Sequence, residues 1–187
     1  EALADGNALA ALSGNRHQAL WQAVAAVPDK DLLKPTTLAE APAQLSTPSE
    51  AQEILRDYHS TGLTLQRHPI ALLRPRLLKQ RFLPADVLHT FQNKQFARGC
   101  GLVTVRQRPG TAKGVLFITI EDETGPVNVI VWPTLVDQFR HEVLNAKLLG
   151  VYGIWQTDGK VHHLVAKRLV DMNHLLGEFV AVSRDFC

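Results

Sequence analysis

The sequence predicts an α+β chain: an N-terminal helical hairpin and a helical connector, followed by a five-stranded β-barrel. Three observations carry that expectation. Apolar residues recur at helical spacing up to about residue 95. From about residue 96 they alternate with period two. The alternating runs are separated by Pro109-Gly110, Gly125-Pro126 and Asp158-Gly159, which carry turn chemistry.

Five strands are expected at 98–107, 114–121, 127–132, 147–156 and 161–169. One helix, Thr134–Asn145, interrupts them between the third and fourth, with Leu135, Val136, Phe139 and Val143 facing inward. Five strands with a helix at that place make the pattern of an OB-fold barrel. Its extent is 96–170, and 171–187 forms a short amphipathic tail around Leu175 and Leu176.

Ahead of the barrel, residues 1–27 read as a helical hairpin. Asp5 is expected to cap a first helix carrying Leu9 and Leu12. Gly14 reverses the chain in a left-handed conformation. A second helix, Arg16 to Ala26, puts Leu20, Val24 and Val27 on one face. Residues 28–48 carry Pro28, Pro35, Pro42 and Pro48 at regular intervals, which reads as an extended linker. Residues 49–95 form the connector. Thr47-Pro48-Ser49-Glu50 is a helix start in which Thr47 caps, Pro48 takes the first position and Glu50 closes a capping box. That helix carries Ile54, Leu55 and Tyr58 and stops at Gly62. His68-Pro69 starts a second, with Pro75 expected to kink or end it. Leu83-Pro84 opens a third.

Composition narrows the function classes. The 187 residues are 45% hydrophobic and 20% charged, a globular balance. A chain of this length buries about 70% of its unfolded surface without a metal or disulfide staple. No apolar run approaches the ~20 residues that span a bilayer. The N-terminus has neither the basic nor the apolar region of a signal peptide. Two cysteines, Cys100 and Cys187, with no CxxC, give neither a disulfide scaffold nor a thiolate zinc site. A reducing, cytoplasmic setting is expected.

The net charge of +2 conceals an uneven distribution. Ten of the chain's 20 Lys and Arg residues lie between Arg67 and Lys113, where Asp86 is the one acid. Such a stretch is the footprint of a polyanion partner, or else a solvated face rich in Arg.

OB barrels grip oligonucleotides across strands 2–3, with the 1–2 and 4–5 loops as jaws. Here Arg106, Arg108 and Lys113 offer cations around the first loop, and Lys160 does so in the second. Alternation sorts Leu116, Ile118 and Ile120 to the core. Phe117 is left outside, able to stack on a base, a contact whose loss costs about 1–3 kcal/mol. Asn128 and Trp132 face outward from strand 3. The alternative is that Phe117 and Trp132 pack under a neighbouring helix.

Other clusters read as structural. Glu121-Asp122-Glu123 is expected to be a solvated hairpin turn rather than a two-metal site, because consecutive strand residues diverge. His162 and His163 diverge for the same reason. Cys100 is expected to be buried and inert. No nucleophile–base pair, P-loop or GxGxxG is present, so the chain shows no catalytic centre. The hairpin from Leu12 to Leu20 resembles a helix-hairpin-helix, whose turn amides and following helix N-terminus take DNA phosphates. Arg16 would add a cation there. A purely structural helix pair is the competing reading.

Two stretches carry a wider resemblance. They are Val105-Arg106-Gln107-Arg108-Pro109-Gly110-Thr111-Ala112-Lys113-Gly114-Val115-Leu116-Phe117, and Glu121-Asp122-Glu123-Thr124-Gly125-Pro126-Val127-Asn128-Val129-Ile130-Val131. Together they resemble the OB domain of bacterial C-family DNA polymerases, relatives of the replicative alpha subunit. Asp57-Tyr58-His59-Ser60-Thr61-Gly62 through Pro69, and the hairpin from Leu12 to Trp21, are similar to the error-prone branch.

The resemblance implies a C-terminal, nucleic-acid-binding module of an error-prone polymerase acting in translesion synthesis and DNA repair. The catalytic carboxylates and the Mg²⁺ they need would lie upstream. It also implies single-stranded or primer–template DNA as ligand and a mutagenesis partner resembling a Y-family polymerase. Gln80-Arg81-Phe82-Leu83-Pro84 is the nearest match to the sliding-clamp motif of the replicative relatives. It lacks the terminal aromatic and reads as a helix-to-loop junction, so clamp contact would be indirect. A protein-docking role is the alternative, with Leu175, Leu176 and Phe179 as the exposed apolar patch.

Overall fold

The computed structural model describes residues 2–25, 45–159 and 161–176. The chain divides into two compact units, Glu1–Gln66 and Arg67–Cys187. The expected connector, 49–95, is therefore shared between them. The expected linker falls mostly outside the described residues.

The first unit holds α1 (Ala2–Asp5), α2 (Ala10–Ser13), α3 (Arg16–Ala25) and α4 (Glu50–Ser60). Asp5 is the last residue of α1 and not a cap. The expected single first helix is broken at Gly6-Asn7, where Asn7 takes φ 60°. Gly14, at φ 85°, turns the chain between α2 and α3 as expected. Of the face expected to be buried on α3, Leu20 is half-buried, Val24 is exposed and Val27 lies outside the described residues; the buried positions are Arg16 and Ala19. The start of α4 is two residues later than expected. Ser49 is the cap, its hydroxyl accepting from Gln52 N while the Gln52 side chain accepts from Ser49 N at 2.9 Å. A Ser-x-x-Gln box satisfies two terminal amides at once, and it leaves Thr47 outside the helix and Glu50 as its first residue.

The second unit begins with α5 (Pro69–Lys79), capped by the His68 Nδ1, which accepts from Ile70 N at 3.2 Å. Pro75 does not end α5 and sits at an exposed position within it. Strong anchoring of the helix by Ile70, Leu73 and Leu77, all buried, offsets the lost hydrogen bond. After α6 (Ala85–His89) come β1 (Phe96–Gln107), β2 (Leu116–Asp122), β3 (Gly125–Val131), β4 (Leu148–Asp158) and β5 (Val161–Asp171).

The strands close into a barrel in the order β1-β2-β3-β5-β4. All neighbours are antiparallel except β3 and β5, which pair parallel through Val129↔Leu164 and Ile130↔Val165. Period-two alternation delivers Leu116, Ile118, Ile120, Val127, Val129 and Val131 to the interior. The expected helix 134–145 is two short helices, α7 (Pro133–Gln138) and α8 (Arg140–Asn145). The break at Phe139 lets both Phe139 and Val143 pack on the barrel core.

A second cluster joins α5 to the outside of β1 and β4: Ile70, Leu73, Leu77 and Phe82 pack on Cys100, Leu148, Met172 and Leu176. Phe82 lies so close to β4 that a Cβ on Gly150 would stand 3.0 Å from its Cζ. A side chain there would require the Phe82 ring and Met172 to give way.

Candidate nucleic-acid interface

The outward positions of β2 and β3 form rungs. Phe117 pairs across from Ile130, and Thr119 across from Asn128, with a 3.2 Å hydrogen bond between their side chains. Residues directly opposed in an antiparallel pair share a face. Gln107 pairs with Phe117 on the other side, and Val105 with Thr119. Phe117 is half-buried, Asn128 exposed, and Trp132, just past the end of β3, is 53% exposed. The alternation read from the sequence therefore holds, and Trp132 is not covered by α7.

The loop from β1 to β2 starts one residue beyond the Gln107–Phe117 rung. It runs through a 3₁₀ turn, Gly110–Ala112, which Lys113 closes in a left-handed conformation. Arg108 and Lys113 are both exposed, and neither has a carboxylate partner among the described residues. The Arg108 guanidinium leans over Gly114. Two unneutralised cations thus flank the end of the face where Phe117, Ile130 and Trp132 gather. That combination suits a single strand: cations for phosphates, aromatic faces for bases.

Several expected site residues do other work. Arg106 donates from Nε to Val143 O at 2.8 Å and from Nη2 to Ala146 O. It caps the last carbonyls of α8, a structural role that a basic side chain near a helix C-terminus performs well. Arg16 is 1% exposed, and its guanidinium pairs with Glu53 at 3.3 Å and with Asp57. It ties α3 to α4 and does not meet solvent, which corrects its place as a phosphate ligand. Leu176 is buried and Leu175 packs partly against the same cluster, so these two do not form an exposed docking patch. Lys160 and Phe179 lie outside the described residues. Phe82 is buried and Leu83 N donates to Arg98 O at 2.9 Å, which makes this stretch a structural junction.

The acidic cluster is not the solvated turn expected. Asp122 is 6% exposed. One oxygen accepts from Arg74 Nη2 at 2.8 Å and Ala85 N at 2.9 Å. The other accepts from Thr124 N, Thr124 Oγ1 and Gly125 N. Arg74 also pairs with both oxygens of Glu123. Burial opposes the charge on Arg74, but Glu123 and Asp122 outweigh it and hold its pKa above the ordinary value. With its oxygens so engaged, Asp122 does not fit a Mg²⁺ site.

His162 accompanies His89 around Trp155: the three rings lie within 6.0 Å of one another, His162 stacked on the indole and His89 edge-on to both. Cys100 is buried, and burial pushes its thiol up to about 12. Among the described residues no helix is long and apolar enough to cross a membrane.

Residues 100–171 match a family model described as an OB-fold nucleic acid binding domain. Over 98% of its length the chain is 54% identical to an error-prone DNA polymerase of Ralstonia nicotianae. It is 52% identical to that of Bordetella parapertussis over its full length, and 53% to that of Burkholderia pseudomallei. The chain spans 17% to 18% of the length of these relatives.

Proposed function

We propose that the chain is a segment of an error-prone DNA polymerase, carrying a nucleic-acid-binding OB domain, and that its barrel holds single-stranded template or primer–template DNA during translesion synthesis. The observation that carries this reading is the outer β2–β3 face, where Phe117, Ile130 and Trp132 gather beside Arg108 and Lys113. Phosphates lie along the loop cations and bases stack on the aromatic rings.

Nucleotide transfer, with its Mg²⁺, belongs to the longer polymerase in this reading. Asp122 and Glu123 are engaged with Arg74, and Asp122 also with backbone amides. Work in damage tolerance and DNA repair, beside a partner resembling a Y-family polymerase and with the sliding clamp reached indirectly, completes the proposal. The cytoplasm, where bacterial DNA lies, is its setting.

A titration of the 187-residue chain against single-stranded DNA, duplex and primer–template tests it. The reading expects single-stranded and primer–template DNA to bind more tightly than duplex at low salt. Absence of single-strand binding would overturn it.

A further inference from the structure

The barrel carries a second outward face, made by β1, β4 and β5. Arg98 pairs across from Tyr152, and Tyr152 across from Arg168, so the three form one rung. Their chain neighbours Ala97, Gly99, Val151 and Leu169 are buried, which leaves this rung outside the barrel. Both guanidiniums lie over the same ring: their carbons stand 5.0 and 5.6 Å from the Tyr152 centroid. Phe82 meets that ring edge-on at 5.3 Å and fixes it. The next rung is Phe96–Ile154, and Phe96 is 80% exposed.

Arg98 and Arg168 stand on either side of Tyr152, two strands apart. Stacking on one aromatic ring holds each in place without neutralising either. Among the described residues neither Arg98 nor Arg168 has a carboxylate partner. The rung is therefore a pre-ordered pair of anion-binding groups with an exposed aromatic ring one rung away. This is the same pairing of cations and a stacking surface as on the β2–β3 face, but built on other strands.

We propose that the β1–β4–β5 face is a second nucleic-acid contact, in which Arg98 and Arg168 bind backbone phosphates and Phe96 stacks a base. A strand longer than one face accommodates then continues around the barrel. The proposal rests on the reading that the chain binds single-stranded DNA, and its test separates the two.

The probe is an oligothymidylate of about 30 nucleotides, longer than the roughly 4–16 that one OB fold holds. Its affinity for the 187-residue chain is measured against salt. Each phosphate contact adds about −0.7 to the slope of log affinity against log salt. The double variant Arg98→Ala/Arg168→Ala is expected to flatten that slope by roughly 1.4, and Arg168→Ala alone by about 0.7. The single variant changes an exposed residue and serves if the double variant does not fold. Photocrosslinking with 5-iodouracil in the strand is expected to mark Phe96. An unchanged slope in Arg168→Ala, or crosslinks confined to β2 and β3, would overturn this second contact while leaving the β2–β3 reading intact. No binding by the unmodified chain would overturn both.

Discussion

Arg74 and Asp122 meet at 2.8 Å beneath the β2–β3 turn, both largely withdrawn from solvent. The pair connects α5 to the barrel, and the same carboxylate orders α6 through Ala85 N and the turn through Thr124 and Gly125. Removing one partner of a buried pair leaves an uncompensated charge, at a cost of about 3–5 kcal/mol. Asp122→Ala is expected to lose stability in that range by urea unfolding, whereas Glu123→Gln, on the more exposed carboxylate, should lose less. Equal small losses would show that Asp122 is not the organising group.

The cap of α5 makes stability depend on pH. Burial lowers the pKa of His68, against the raising influence of Glu121, Glu123 and Asp122, and its Nδ1 accepts from Ile70 N only when unprotonated. The folded state therefore favours neutral His68. The stabilisation is present above the ordinary histidine value of 6.5 and is lost as pH falls below it, because the unfolded chain takes up the proton first. His68→Asn keeps an acceptor that does not titrate. Thermal melting of the two proteins between about pH 7.5 and 5.5 should show a steeper fall for the unmodified chain. Parallel curves would contradict the assignment.

Gly150 is the point where Phe82 lies on β4. A methyl group there meets Phe82 at 3.0 Å and Met172 at 3.2 Å. Overpacking of this kind costs about 1–3 kcal/mol. Gly150→Ala is expected to lose that much, and Phe82→Leu in the same chain to recover part of it. A neutral Gly150→Ala would mean that the α5 packing yields without cost.

Cys100 should be chemically silent in the native state. It is buried, and a thiol pushed up to about 12 holds almost no thiolate near neutrality. An aromatic disulfide reagent is expected to modify it only as fast as the chain unfolds. Rapid labelling of Cys100, identified by peptide mapping, would show that the second core cluster opens locally.

What could be read from the sequence follows from the range of the forces involved. Strand alternation is local, so the sequence alone puts Phe117 and Asn128 outward and Ile118 and Val129 inward. Gly14, Gly62 and His68-Pro69 carry their turn and cap chemistry within a few residues, and they also stand where expected. The misplaced groups are those whose partners are distant. Arg16 finds Asp57, 41 positions away, and Arg106 reaches Ala146 across 40. Arg74 reaches Asp122 across 48. A basic residue in a loop looks the same in a sequence whether its guanidinium meets phosphate or a helix end. Ser49 does not stand out as a cap in the sequence because Thr47 and Glu50 offer the same chemistry two residues earlier. The Arg98–Tyr152–Arg168 rung is not legible in the sequence because it needs the register of three strands.

The central claim is that the outer β2–β3 face binds a single strand through stacking at Phe117 and charge at the adjoining loop. The two contributions separate in salt dependence. The measurement is the affinity of the 187-residue chain for a single-stranded oligonucleotide across a range of salt concentrations, with Phe117→Ala and with Arg108→Ala/Lys113→Ala. Phe117→Ala is expected to weaken binding by about 1–3 kcal/mol and leave the slope nearly unchanged. The double cation variant is expected to flatten the slope by roughly 1.4, one phosphate contact for each residue. If Phe117→Ala binds as tightly as the unmodified chain and the double variant keeps the full slope, the strand does not lie on this face.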